Sequence, residues 1–456
     1  MAFIPLKKGE LRIGLYIKLE CSWWNHPFAK SKFKITSKKE INTIKGMRKV
    51  TLFYDPELSD PEEQSPEEIM VETLEAGDTE PSQEERERQE EAIRMEQIQA
   101  CVEHTAELQK ASYLYQQSIS QTKIALKRIS DGHAAGIKSA DQVVSTVIHS
   151  LNSPGTSMAI IDILTSSETE DPFLAHALNV CIVSCLVGKE YGLEEHELYA
   201  LGLAALLHDL GKQNFPTMLR TKRLGLTKNE QQEWLKHPTM GHDALTRFPS
   251  IPEEAVLAVQ QHHERLDGSG FPLGLKDEEI SFFAKIIMAA DEYDHLCHQA
   301  DHSKSLTPAE ALSYLYDHYI VDKLMAVSDT IDCLLNDSAV AQEGGEASSV
   351  SVEEEVTAVN DNAELSEEVV VYMVRALGVY PPGSFVELTN GSVGLVTGVS
   401  TEERTKPCVM ICTPNVSRQE ARVVDLSKDD IAIVHSIRPQ HVPKHVQQFL
   451  CGDRSV

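Results

Sequence analysis

Positive charge is scarce in this chain. Its 42 Lys and Arg stand against 70 Asp and Glu, a formal net charge of -28. That balance argues against broad binding to DNA, RNA or anionic membranes, all of which recruit basic surface. Long apolar runs are missing too. None approaches the length of a membrane span, and the start, Met1 to Lys8, lacks the apolar core of a signal peptide. Cytoplasmic residence is the resulting expectation. The nine Cys show neither CxxC pairing nor even spacing. This excludes a disulfide framework and reads as free thiols in a reducing compartment.

What is present is an ordinary globular composition, 41% hydrophobic and 25% charged over 456 residues. That is enough for two to four domains and a sizeable core. Residues 1–55 read as a small α+β N-terminal domain. Leu11 to Ile17 and Val50 to Tyr54 have strand composition, and Ser37 to Glu40 caps a short helix carrying Ile41 and Ile44. Lys30, Lys32, Lys34, Lys38, Lys39, Lys45, Arg48 and Lys49 crowd this unit, and a solvated face is the plainer reading of them.

Residues 56–97 are acidic and rich in Pro, Ser and Gln, a composition that reads as a flexible linker whose last part runs into a helix. From 98 to 335 apolar residues recur at helical spacing, giving an all-helical block. Within it the pattern predicts helices over Glu195 to Leu210, after Thr227 through Trp234 and His237, over Glu253 to His263, and over Ile280 to Leu296. A second acidic stretch, 336–366, reads as an insertion. Residues 367–440 read as a helix followed by a β-rich unit, with Asn390-Gly391 as a hairpin turn.

The chemistry concentrates in the helical block. His176, His208, Asp209, His237, His262, His263 and Asp291 all sit in or at the ends of predicted helices. Imidazole and carboxylate suit first-row divalent metals. Asp209 has two oxygens and can bridge two ions about 3.5–4 Å apart. On a helix His208 and Asp209 point about 100° apart, so they reach different ions of one site. Lys212 falls on the same side as both, where a cation can neutralise charge on a phosphoryl oxygen. Gly211 is expected to let a ligand approach. His242 with Asp243, and the set His295, His298 and His302, read as ordinary polar positions.

The ordered set resembles the HD-GYP family, the phosphodiesterase branch of the HD hydrolases. His208-Asp209-Leu210-Gly211-Lys212 matches its HDxGK element, and His237-Pro238-Thr239-Met240-Gly241 matches HPxxG. His262 to Pro272 matches HHExxDGxGYP with Phe271 in place of Tyr, and Ala290 to Asp294 matches ADxYD. Residues 1–55 resemble the small domain often attached to this family, and Leu377 to Ser384 resembles its LGxYPxGS element. The implied fold is multidomain and mainly α. It has an all-helical HD-type metal-binding core, a small α+β N-terminal domain and a small β-rich C-terminal unit.

The resemblance implies a metal-dependent phosphodiesterase that converts cyclic di-GMP to linear pGpG or GMP by a metal-bridging hydroxide. It implies two divalent ions, Fe or Mn. His176, His208, Asp209 and Asp291 would hold one, and Asp209, His237, His262 and His263 the other. Asp209 and Lys212 would be catalytic, and Lys212, Asp267, Gly268, Gly270 and Lys304 would bind substrate. Diguanylate cyclase (GGDEF) domains are implied as partners at the Asp267 to Pro272 loop, and a homodimer is compatible with the pattern.

The chain departs from the family at Phe271, at Pro172 (four before His176, where some members carry a third-metal Glu), at Ala300 to Ser305 (which lacks the family's arginines) and in the 336–366 stretch. These departures keep two alternatives open. One is a non-catalytic nucleotide- or partner-binding signalling module. The other is an HD hydrolase acting on another nucleotide.

Overall fold

The computed structural model describes parts of residues 4–59, then 83–166, 171–220, 226–299, 304–317, 364–399, 405–413 and 416–452. The chain divides into two units, 1–90 and 91–456.

In the first unit four strands, β1 (Ile4–Leu6), β2 (Tyr16–Glu20), β3 (Lys32–Lys34) and β4 (Thr51–Asp55), pair antiparallel in the order β1-β4-β2-β3. Leu11, Leu15, Ile17, Ile35, Ile44 and Leu52 form its core. The expected Leu11 to Ile17 strand starts later, at Tyr16, because Gly14 takes a positive φ of 90° and breaks the extended run. Ile41 and Ile44 are helical, while the Ser37 to Glu40 cap and most of the nearby lysines lie outside the described residues.

The second unit is built on helices. The expected linker is shortened, since α1 (Gln83–Ser130) begins well before residue 97. There follow α2 (Ala135–Leu151), α3 (Pro154–Ser166), α4 (Pro172–Tyr191) and α5 (Glu195–Leu207). After a 3-10 turn at Leu210–Asn214 come α6 (Thr217–Arg220), α7 (Lys228–Trp234), α8 (His237–Leu245), α9 (Glu253–Gln261), α10 (Phe282–Cys297), α11 (Pro308–Tyr316) and α12 (Glu367–Leu377).

α4 lies at the centre, against α5, α10 and α12. Asp171 caps it, accepting from Leu174 N at 3.4 Å, and Pro172 occupies its first turn. Gly192, at φ 97°, ends it. By length and composition this helix is apolar enough to cross a membrane, which corrects the sequence expectation that no run is. However, 83% of its apolar window is buried among its neighbours. It is the core helix of the block.

Two expected helices are interrupted. The one after Thr227 breaks at Leu235 and Lys236, so that His237 opens a new helix with Pro238 in its first turn. Likewise α5 stops at Leu207 and the backbone tightens into a 3-10 turn from Leu210. α12, which the sequence pattern places at the start of the C-terminal unit, packs on α4, with Tyr372 5.0 Å edge-on from Tyr191. Residues 318–363, including most of the acidic insertion, lie outside the described residues.

The C-terminal sheet has five antiparallel strands in the order β8-β7-β6-β5-β9, where β5 is Phe385–Leu388, β6 Val393–Gly398, β7 Cys408–Ile411, β8 Arg422–Asp425 and β9 Ile433–Ile437. Gly391, at φ 78°, makes the expected hairpin turn between β5 and β6. A last helix, α13 (Lys444–Cys451), extends the unit beyond residue 440. It covers one face of the sheet together with Cys101 of α1, through Phe385, Leu395, Met410, Val446 and Leu450.

Candidate metal centre

Helix ends and breaks deliver the site. α4 supplies His176. The break after α5 supplies His208 and Asp209. α8 opens with His237, the end of α9 supplies His262 and His263, and α10 carries Asp291. Because α5 ends at Leu207, His208 and Asp209 are not consecutive points on one helix. His208 keeps helical backbone, while Asp209 turns to φ -97°, ψ 13°.

The structure gathers these groups. Donor atoms of Asp209, His237, His262 and His263 lie within 4.8 Å of one another, as do those of His176, His208 and Asp209. Asp209 stands in both sets. Its Oδ1 is 3.3 Å from His237 Nε2 and 3.7 Å from His262 Nε2, and its Oδ2 is 3.6 Å from His208 Nε2 and 3.9 Å from His176 Nε2. Asp291 Oδ1 lies 3.0 Å from His176 Nε2 and 4.0 Å from His208 Nε2. His208, His237 and His262 are fully buried, and Asp209 is 3% exposed.

Backbone carbonyls set the histidine tautomers. His208 Nδ1 donates to Ala205 O at 2.7 Å, His237 Nδ1 to Trp234 O at 2.5 Å and His262 Nδ1 to Val259 O at 2.7 Å. A carbonyl can only accept, so each Nδ1 carries the proton and each neutral ring turns the Nε2 lone pair inward. His237 Nε2 and His262 Nε2 then face each other at 3.3 Å with no proton to share. Asp209 Oδ1 and His263 Nε2 are buried without a hydrogen-bond partner. Buried, unpartnered acceptors pointing at one another are costly unless a cation lies among them. The donor set therefore fits divalent metal.

Electrostatics agree. Burial drives His208 down to about 3 despite Asp209, and holds His237 and His263 well below the ordinary imidazole range. Those rings are neutral, as ligation requires. Burial also works to raise Asp209, but Lys212 and the surrounding histidines hold it well below the usual carboxylate range. Burial likewise opposes charge on His176, yet hydrogen bonds to Asp291 and Asp294 lift it to about 9. Without metal, that ring carries a proton which a cation would displace.

Lys212 Nζ donates to Asp209 Oδ2 at 2.8 Å and lies 4.7 Å from the centre of the Trp234 ring. Gly211 has a different role from the expected one. A side chain there would sit 2.0 Å from the His237 carbonyl oxygen, so the glycine admits the His237 backbone and not a ligand. Gly270 is similar, since a Cβ would meet Arg265 N at 2.3 Å. Gly268, at φ 82°, makes a turn, and Asp267 Oδ1 accepts from Ser269 N at 2.9 Å and Ser269 Oγ at 2.6 Å within the same loop. Lys304 is exposed, outside the buried cage, and Ala300 to Ser303 lie outside the described residues.

Several functional positions escaped the sequence reading. His295, taken as ordinary helix surface, joins His176 and Asp291 as a third set of neighbouring donors, its Nδ1 3.1 Å from Asp291 Oδ1. Its i+4 spacing from Asp291 could have signalled this. His298 is exposed but bonds inward, to Asp294 Oδ1 at 2.9 Å and the Leu164 carbonyl at 2.9 Å. His302 lies outside the described residues. Glu264 is fully buried and accepts from Leu273 N at 2.7 Å and Leu275 N at 2.9 Å, which clamps the loop after His263. Phe271, the departure from Tyr, stacks on His263 at 4.8 Å and lies 5.7 Å from Trp234.

Residues 166–320 match the family described as HD domain, and residues 4–140 match a domain of unknown function, DUF3391. The chain is 24% identical to the cyclic di-GMP phosphodiesterase PA4108 of Pseudomonas aeruginosa, over 85% of this chain and 80% of the relative. It is 37% identical to the cyclic di-GMP phosphodiesterase response regulator RpfG of Xanthomonas campestris, over 29% of this chain and 36% of the relative. To the 3'3'-cGAMP-specific phosphodiesterase 3 of Vibrio cholerae it is 27% identical, over 33% of each. Against the last two it thus spans about a third of the relative's length. The buried His-Asp cage and its HDxGK and HHExxDGxGFP elements all lie within residues 166–320, the part of the chain that matches the HD domain family.

Proposed function

We propose that this protein hydrolyses cyclic di-GMP to the linear dinucleotide or GMP in a metal-dependent reaction, in the cytoplasm. The observation that supports the reading most strongly is Asp209, buried, ionised and shared between two sets of imidazoles whose lone pairs converge. Residues 98–317 with 364–377 form the catalytic block in this reading, and the cage takes two ions, Fe or Mn. Bound there, divalent cations supply the Lewis acidity that activates water and screens a phosphoryl group.

The chain's own groups do the rest. Asp209 spans the two donor sets, with Lys212 steadying its Oδ2. The Lys212 ammonium adds positive charge at the same buried point, where charge develops on phosphoryl oxygens during displacement. Neutral His237 and His263 present lone pairs without competing for a proton, and the Val259 carbonyl turns His262 Nε2 the same way. Trp234 and Phe271 pack against His263, at 5.2 and 4.8 Å between ring centres.

The test is turnover by anaerobically purified, metal-loaded protein, with products separated by chromatography. Linear dinucleotide or GMP, lost on chelation, is the expected result. Binding of cyclic di-GMP without product would establish a sensor instead. The Vibrio cholerae relative favours a second reading, a mixed guanine–adenine cyclic dinucleotide as substrate. Faster turnover of that compound in the same assay would support it.

A further inference from the structure

His176 is held differently from the other oriented ligands. His208, His237 and His262 are each keyed by a carbonyl three residues back on their own segment. His176 Nδ1 instead bonds a side chain on another helix, Asp294 Oδ2 of α10, at 2.7 Å. Asp294 Oδ1 accepts from Asn179 Nδ2 at 2.8 Å. Asn179, one turn along α4 from His176, accepts at its Oδ1 from the Tyr115 hydroxyl at 2.8 Å.

Tyr115, Asn179 and Asp294 are 3%, 3% and 4% exposed, so water does not compete for these bonds. The directions are fixed throughout. A phenol donating to Oδ1 turns the amide nitrogen toward the carboxylate, which leaves Oδ2 for the imidazole N–H. The chain of bonds therefore starts on α1 and ends on a cage histidine.

We infer that Tyr115 is a positioning residue for the metal centre: through Asn179 and Asp294 it fixes the ring of His176, so that the seating of α1 governs metal retention on the His176 side of the cage. A cage ligand keyed by its own backbone has no such link to another helix, whereas His176 has one through Asp294, which His298 also holds at 2.9 Å. α1 is suited to carry such a signal. Further toward its N-terminus it packs into the C-terminal unit, with Gln97 Oε1 2.7 Å from Arg422 Nε and Cys101 Sγ 3.3 Å from the Arg418 carbonyl oxygen. Beside Tyr115 lies a small cavity bordered by Leu114, Ser118, Val147, Ile160 and Leu178.

The inference rests on reading the cage as a metal site and not on the identity of the substrate. The test follows Mn2+ leaving the loaded full-length protein into excess chelator, by metal analysis over time. Tyr115→Phe keeps the ring and removes one oxygen, and should release part of its Mn2+ about tenfold faster than the parent, the low end for loss of an outer partner. Adding Tyr115→Phe to Asp294→Asn should change nothing further, since the relay is already cut. A packing role would instead give multiplying effects. Release within twofold of the parent, or multiplying effects in the double variant, would overturn the relay. Should Tyr115→Phe not fold, Asn179→Ser cuts the same chain one link on and is read by the same criteria. A parent protein that retains no Mn2+ at all would overturn the metal reading itself, and the relay with it.

Discussion

Asp209 and Lys212 divide one task. The carboxylate belongs to both donor sets, and the ammonium bonds its Oδ2. Asp209→Ala removes the shared group, and metal retention and hydrolysis should both be abolished, as metal analysis and product assay would show. Lys212→Ala leaves every imidazole in place. It should keep metal and lose rate, by about 10²–10³ for a buried charge aimed at a developing oxyanion. The histidines make a separate prediction for the metal-free protein. His208, His237 and His263 have lowered pKa values in the folded state, so the unfolded chain binds protons more readily below about 6.5. Each costs up to about 1.4 kcal/mol of stability per pH unit as pH falls from there. His176 is raised to about 9, so its contribution is complete below about 6.5 and is lost as pH climbs through 9. Denaturant titrations of chelated protein at pH 5, 6.5 and 9 should find the middle value most stable. Constant stability from 5 to 6.5 would contradict the neutral rings.

At the scale of elements, the glycines carry packing that their sequence pattern does not express. Gly211→Ala would place a methyl 2.0 Å from the His237 carbonyl. That oxygen belongs to the first residue of α8 and can move only with it. The substitution should destabilise the protein by about 3 kcal/mol and loosen metal, read by thermal unfolding and metal content. In the sequence, HDxGK invites the thought that its glycine faces the ligand, whereas the conflicting atom lies 26 positions on, where one-dimensional spacing cannot reach. The helices themselves were legible from periodicity, and the converging ligands from their residue types. The breaks were not. His237 opens a helix because Pro238 suits a first turn, yet the apolar rhythm runs straight through Leu235. Asp294 and Glu264 were visible as letters inside motifs. Only three-dimensional proximity gives the one His176 as partner and the other the amides of Leu273 and Leu275.

Across the whole molecule, the C-terminal unit is legible in sequence as a β-rich unit with its Asn390-Gly391 hairpin, but β8 and α13 are not. β8 is four residues long, and α13 has only a narrow apolar stripe of Val446, Phe449 and Leu450. Both owe their existence to what they cover. α13 lays Val446, Leu450 and Cys451 against Phe385, Leu395 and Met410, and Cys101 of α1 completes the same cluster. The opposite face of the sheet has its own core of Val386, Leu388, Val396, Val409 and Val424. Leu450→Ala therefore opens one face and leaves the other intact. As Leu450 is fully buried, the loss should be about 2–5 kcal/mol. It should appear locally, because the cage helices α4, α5, α9 and α10 pack on one another away from that cluster. Hydrogen exchange should accelerate over residues 385–451 and over 97–105 of α1, where the cluster's last contact lies. It should stay unchanged over 172–187 and 282–295, which carry His176 and Asp291. Uniform acceleration across all four segments would mean that sheet and cage unfold as one cooperative body.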